Sequence, residues 1–213
     1  MEAELVEYFG SDDMVVNAAR VSFNKRAAQY TEEKNAKLIK FLAEHGHTAP
    51  FRHPHFQFRV ECPIYVERQL FKHQIGWTAN SISGRYVDFS DSYYKIDTWR
   101  KQSESSKQGS DGVIAEQELA NVIQDEVINL CAKAYEMLTE LGVAKEQART
   151  ILPLSLNTQF MWTGSFQAFI HLCHLRIKSD AQQETRELVT LMLDAVKAIE
   201  NNPFKYSLEA FGL

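Results

Sequence analysis

The segment His55-Phe56-Gln57-Phe58-Arg59-Val60-Glu61-Cys62 sets apolar and polar residues in strict alternation and then meets Pro63. Such alternation belongs to a half-buried strand, because successive side chains on extended backbone point to opposite faces. Proline stops the strand and suits the first turn of a helix, where its missing N–H leaves no hydrogen bond unmade. Tyr65 to Phe71 then carries helical spacing.

The other elements follow from similar signals. Leu5–Phe9 before Gly10 reads as a short strand, and Asp12 or Asp13 can cap a helix running through Arg20. Thr31, with Glu33 and Lys34, opens a second helix whose stripe is Leu38, Ile39, Phe41 and Leu42, with Gly46 near its end. The polar Ser/Gly-rich run from Gln102 to Gly112 predicts a mobile loop. Val113 to Leu141 predicts a long helix with Leu119, Val122, Ile123, Val127, Leu130, Ala134 and Leu138 on its apolar face. Leu154–Thr163 reads as a strand, and Ser165–Ile177 and Ala181–Glu200 as helices. The order β, α, α, β, α, long loop, α, α, β, α, α lacks the alternation that builds a doubly wound sheet. It predicts an α+β fold, a small mixed or antiparallel sheet packed with several helices. At 213 residues a single domain over 1–213 is expected. No G-x-G-x-x-G follows a strand, which argues against a conventional dinucleotide fold.

Charge narrows the partners. A net charge of −5 disfavours a polyanion, whose binding needs surplus Lys and Arg, so no nucleic acid is expected. A small anion held by a few arginines remains compatible. No apolar run reaches the length of a membrane span, and Met1-Glu2-Ala3-Glu4 lacks the basic-then-apolar order of a signal peptide, so a cytoplasmic location is expected. Cys62, Cys131 and Cys173 are far apart, odd in number and without a C-x-x-C pair, which argues for buried apolar side chains over disulfides or a cysteine-built zinc site.

The chemistry concentrates in Lys72-His73-Gln74-Ile75-Gly76-Trp77-Thr78-Ala79-Asn80-Ser81-Ile82-Ser83-Gly84-Arg85-Tyr86. Gln69, Lys72 and His73 stand at i, i+3 and i+4, so a continuing helix would turn them the same way. Asn80 to Arg85 has the composition of a loop that offers backbone N–H groups and a guanidinium to a phosphate. The histidine pairs His45/His47, His53/His55 and His171/His174 invite zinc, but no carboxylate or cysteine completes a site at usual spacing. No metal is expected. Ser83-Gly84 lacks the G-x-S-x-G context of an acylated serine. For Arg20, Arg85, Arg149 and Arg176 the ordinary role is a solvated surface ion pair, but Arg149 precedes an apolar stretch and could face an interior pocket, and Arg176 ends an apolar helix. A guanidinium partly buried there needs a partner, and a bound anion or planar imide would provide one.

Taken in order, these residues resemble the flavin-dependent thymidylate synthases. That family's signature is Arg-His-Arg followed by serine and arginine one residue apart, matched here by Lys72-His73-Gln74 and Ser83-Gly84-Arg85-Tyr86. Ala18–Phe23, His45-Gly46-His47 with Pro50-Phe51, Arg68-Gln69, Arg149 with Leu152-Pro153-Leu154, Trp162-Thr163, and Leu175-Arg176 with Ala181-Gln182 and Glu184 follow in family order. Lys72 and Gln74 depart from the two arginines, one extra residue separates His73 from Ser83, and Ser81 replaces a frequent glutamate. Ser165, Gln167 and His171 stand where Asn, Arg and Asn commonly touch the flavin, and Ala49 replaces a small hydroxyl residue.

The resemblance implies reductive methylation of dUMP to dTMP with FAD as cofactor, 5,10-methylenetetrahydrofolate as carbon donor and NADPH as reductant. It implies a homotetramer with FAD sites shared between subunits. Arg176 and Ser83 take catalytic roles. Gln69, Lys72, Ser81, Ile82, Ser83, Gly84, Arg85, Arg149 and Arg176 would bind the nucleotide; Ser22, His47, Ala49, Lys72, His73, Gln74, Ser165, Gln167 and His171 would line the flavin. The Pro-Cys-His of the unrelated thymidylate synthase that uses a cysteine nucleophile is missing, and Cys62-Pro63 has the reverse order. Alternatives left open are a sister pyrimidine nucleotide hydroxymethylase, a zinc-dependent hydrolase on the histidine pairs, and a noncatalytic nucleotide sensor.

Overall fold

The structure, a computed structural model, describes residues 1–85, 92–104 and 109–213. In chain order, β1 (Glu2–Phe9), α1 (Asp12–Arg20) and α2 (Glu32–Glu44) lead to β2 (His55–Pro63), α3 (Ile64–Leu70) and β3 (Trp77–Ser81). A hairpin of β4 (Arg100–Gln102) and β5 (Ser110–Val113) precedes α4 (Gln117–Glu140) and the one-turn α5 (Lys145–Ala148). Then come β6 (Asn157–Ser165), α6 (Phe166–Arg176), α7 (Gln183–Lys197) and α8 (Lys205–Ala210). The main sheet has the order β1-β2-β6-β3, antiparallel throughout. The fold is α+β, as the element order predicts.

Alternation decides which face of the sheet is covered. Phe56, Phe58, Val60 and Cys62 of β2 are buried, and they lie opposite Gly164, Trp162, Phe160 and Thr158 of β6. The inner face packs on α6, with Phe169 against both Phe56 and Phe58, and α7 adds Leu188, Val189 and Met192 to the same core. The outer face is polar, and Gln57 donates across the strands to Thr163, Arg59 to Gln159. Trp77 of edge strand β3 lies opposite Gly164 and stacks on Trp162 at 3.9 Å. A Cβ at Gly164 would stand 2.3 Å from the Trp77 ring, so this position must be glycine for the indole to lie flat.

Several sequence expectations are corrected. Asn80 and Ser81, expected to open a loop, instead end strand β3, which forms because β6 offers its free edge. Within the expected mobile loop from Gln102 to Gly112, Gln102 and residues 110–112 belong to the paired strands β4 and β5, while residues 105–108 lie outside the described residues. Helix α4 begins at Gln117, since Val113 is taken into β5. Helix α3 ends at Leu70, which leaves Lys72 exposed and His73 buried in the turn beyond it rather than side by side on one helical face. Ser11 is the N-cap residue of α1; the Asp12 carboxylate instead accepts from Tyr206 N at 2.8 Å and Ser207 N at 3.0 Å, holding the start of α8. No helix among the described residues is long and apolar enough to cross a membrane.

The apolar face of α4 does not enter the core. Leu119 is 59% exposed and Leu130 69%, and Val122, Ile123, Val127, Met137 and Leu141 are exposed as well, while only Ile128 and Tyr135 of this helix are buried.

Candidate active site

The turn after α3, the start of β3 and the less buried side of α6 converge on a cleft of about 650 Å³. Lys72, His73, Gln74, Gly76, Trp77, Ser165, Gln167, His171 and Arg176 line it, joined by Thr48, Arg52 and His55. Most residues expected at the flavin thus meet in one place, together with Arg176. Among the described lining residues there is no Asp or Glu.

Arg176, half-buried at the end of α6, donates its Nε–H to His73 Nε2 at 2.9 Å. The accepting nitrogen must be unprotonated, which fixes the His73 proton on Nδ1. Burial, reinforced by the Arg176 and His171 charges, lowers His73 from 6.5 to about 4, so the ring is neutral at physiological pH. With Nε engaged, the Nη1/Nη2 end of the guanidinium is the edge left to grip a planar ligand.

The cleft also fits a flavin by its chemistry. Trp77 Nε1 and Gln167 Oε1 are buried and have no protein hydrogen-bond partner, leaving one donor and one acceptor unmatched among residues that line the same cleft. A flavin ring offers acceptors and an N–H to match them, and unmade buried hydrogen bonds cost about 1–3 kcal/mol each. Gly76, at φ +77°, brings backbone close to the cleft floor, where a Cβ would stand 3.0 Å from Ala168 Cβ and Ser165 Oγ. Ser165 itself caps α6 by accepting from Ala168 N.

Lys72 and Arg176 apart, several residues expected at the nucleotide gather elsewhere. Ser81, Ile82, Gly84 and Arg149 line a second cleft of about 250 Å³, with Glu67 at its side. The two clefts lie at opposite ends of β3, whose four residue steps span about 13 Å. Arg149 is exposed at the end of α5 rather than turned inward. Ser83 Oγ accepts from Arg85 N at 3.4 Å, and Ser81 Oγ donates to Glu67 at 3.1 Å. Burial raises the Glu67 carboxyl, and the bond from Ser81 only partly offsets this.

Gln69 is engaged on both ends of its amide. It donates to Gln182 and accepts from Thr185 Oγ1 at 3.0 Å. Gln182 in turn donates to Glu184, which forms an ion pair with Arg100 of the β4-β5 hairpin. Burial alone would raise Glu184; the bonds from Arg100 and Gln182 outweigh it and hold the carboxylate below its usual range.

Ser22, His47 and Ala49 do not line the larger cleft. Ser22 is exposed in a 3-10 turn after α1, and His47 stacks with Phe41 at 5.9 Å. Ala49 opens the 3-10 helix Ala49–Arg52, whose last residue does reach the cleft. Arg52 has no motif or period that marks it, and His55 is legible in the sequence only as half of a histidine pair and the start of a strand. Tyr86 lies outside the described residues. Among the described residues no three His, Cys, Asp or Glu side chains are grouped to hold a metal. His45, His55 and His174 each bond a backbone carbonyl instead, of Phe41, His53 and Phe211.

Comparison with known proteins decides the family. The family model described as thymidylate synthase complementing protein matches residues 4–200. A flavin-dependent thymidylate synthase of Thermus thermophilus is 38% identical over 196 residues, covering 91% of this chain and 70% of the relative. The chain belongs to the flavin-dependent thymidylate synthases. The Kosmotoga olearia enzyme of that name is also 38% identical, over 209 residues, with 97% of this chain and 88% of the relative covered. Among solved structures, the UMP/dUMP methylase PolB from Streptomyces cacaoi bound with 5-Br dUMP superposes with a TM-score of 0.88 at 26% identity, over 99% of this chain and 94% of that one. Flavin chemistry is in the name that the Thermus and Kosmotoga relatives share.

Proposed function

We propose that the chain, as one domain over residues 1–213, converts dUMP to dTMP by reductive methylation, with 5,10-methylenetetrahydrofolate as carbon donor and NADPH as reductant. The observation that carries this reading is Arg176, aimed by neutral His73 within a cleft without carboxylates among its described lining. FAD, when bound there, supplies the reducing equivalents. Trp77, Gln167, Gly76 and Ser165 would hold its ring, while His171 and Gln74 flank it.

The chain's own part is electrostatic. C5 of uracil is a poor nucleophile, and a guanidinium at the N3/O4 edge stabilises the negative charge that grows as C5 reacts. Arg176 fills that role with its Nη edge. Arg85, Arg149 and the backbone at Ser83-Gly84 would hold the phosphate and so orient the ring. No thiolate is needed, and the two buried thiols are poor candidates: burial pushes Cys62 and Cys173 each up to about 12.

The assembly in this reading is a homotetramer with shared sites. Two features support it: the uncovered apolar stripe of α4, and the separation of flavin-side from nucleotide-side residues into two clefts, which a neighbouring copy would bridge.

The test is the visible spectrum of the purified protein, followed by product analysis with dUMP and UMP side by side. Bound flavin and NADPH- and folate-dependent dTMP support the reading. Protein that takes up no FAD, or unchanged dUMP with every co-substrate present, refutes it.

A further inference from the structure

The cleft around Arg176 has a charge pattern that the expected flavin contacts leave unexplained. Its described lining carries three permanent cations, Arg52, Lys72 and Arg176, and no acid, in a chain of net charge −5. By contrast, a cavity of about 670 Å³ among α1, α2 and α8 is lined by Asp12, Asp13 and Glu32. Arg176 is half-buried and tied to His73. Arg52 and Lys72 are exposed, so the cleft has cations at its rim and small or aromatic groups, Ser165, Ala168 and Trp77, on its floor.

Arg52 forms no salt bridge among the described residues. Its hydrogen bond from Nη2 to Thr48 Oγ1, at 3.2 Å, ties the guanidinium back to another lining residue. A cation restrained at a cleft mouth without an acidic neighbour is set for an anion that comes with the ligand. Gln74 and Gln167, where a positive charge would otherwise be expected on this side, can donate hydrogen bonds but cannot neutralise a phosphate.

Resting on the flavin reading above, we propose that Arg52 is a cofactor-binding residue that clamps the diphosphate of FAD with Lys72 opposite it. Each phosphate carries about one negative charge, matched by one cation apiece. The ring then occupies the floor beside Trp77 and Gln167, and the charged linker crosses the rim. Arg52 stands in for the cations that Gln74 and Gln167 do not supply.

The experiment is titration of flavin-stripped protein with FAD and with riboflavin, which has the ring but no phosphate, read by flavin fluorescence. Arg52→Gln should weaken FAD roughly 10- to 100-fold, leave riboflavin affinity unchanged and flatten the salt dependence of FAD binding. Arg52→Lys should restore most of the FAD affinity. Because NADPH also carries a diphosphate, ADP-ribose is titrated into riboflavin-loaded protein as a control. If Arg52→Gln weakens ADP-ribose and leaves FAD affinity unmoved, the clamp belongs to the reductant and the proposal is overturned. Equal losses for FAD and riboflavin would also overturn it, since Arg52 would then only shape the cleft. A wild type that binds neither flavin sinks the proposed function itself, and this inference with it.

Discussion

Neutral His73 makes the stability of this protein depend on pH in a direction that can be worked out. The unfolded chain has an ordinary histidine near 6.5, whereas in the fold burial and the nearby Arg176 and His171 charges lower it to about 4. Between those values the unfolded state holds more protons, so acid favours unfolding: stability is unaffected above about pH 7 and falls as the pH drops from 6.5 towards 4. The whole shift is equivalent to roughly 3 kcal/mol, and solvent reaching the open cleft reduces the expected loss to about 2 kcal/mol. His73→Gln keeps an acceptor for Arg176 but does not titrate. Denaturant unfolding of both proteins from about pH 7.5 to about pH 4.5 isolates the effect, because raised carboxyls such as Asp12 and Glu67 are common to both and cancel. Wild type should lose about 2 kcal/mol more than the variant. Turnover of the folded enzyme should hold until the pH nears about 4, where the native ring itself protonates and an Nε2–H would face the Arg176 N–H. Parallel stability curves for the two proteins would refute the buried neutral histidine and the hydrogen bond that depends on it.

Three further outcomes are expected. Arg176→Ala should lower turnover at saturating dUMP by about 100-fold, on the order of 3 kcal/mol, with FAD occupancy retained in the spectrum, and Arg176→Lys should rescue little; near-normal turnover removes Arg176 from catalysis. Replacing Cys62, Cys131 and Cys173 together by alanine should cost some stability, since Cys62 and Cys173 are buried, yet leave dTMP formation measurable; a folded, FAD-loaded triple variant without turnover would contradict an electrostatic mechanism. Leu119→Glu with Leu130→Glu should break the oligomer as read by light scattering and abolish turnover together; an unchanged molar mass would show that the α4 stripe is not an interface.

Local signals were enough for the covered strand β2, for α3 after Pro63, and for the helices that carry Phe169 and Leu188, because each has an unbroken period and a recognisable start. They were also enough to single out His73, Gln167 and Arg176 by type and order. Sequence did not reveal that Trp77–Ser81 is a strand: its apolar/polar alternation is short and runs into polar residues, and the free edge of β6 and the bare surface of Gly164 make it one. Nor did it reveal that α4 keeps its apolar face outside, since periodicity marks a face without saying what covers it. The partner of Arg176 lies 103 positions away in the chain, and Arg52 reaches the cleft from a 3-10 helix with no motif. Periodicity is a property of neighbours along the chain, whereas a site is made where distant segments meet, so the chemistry could be read from residue types and its geometry only from the fold.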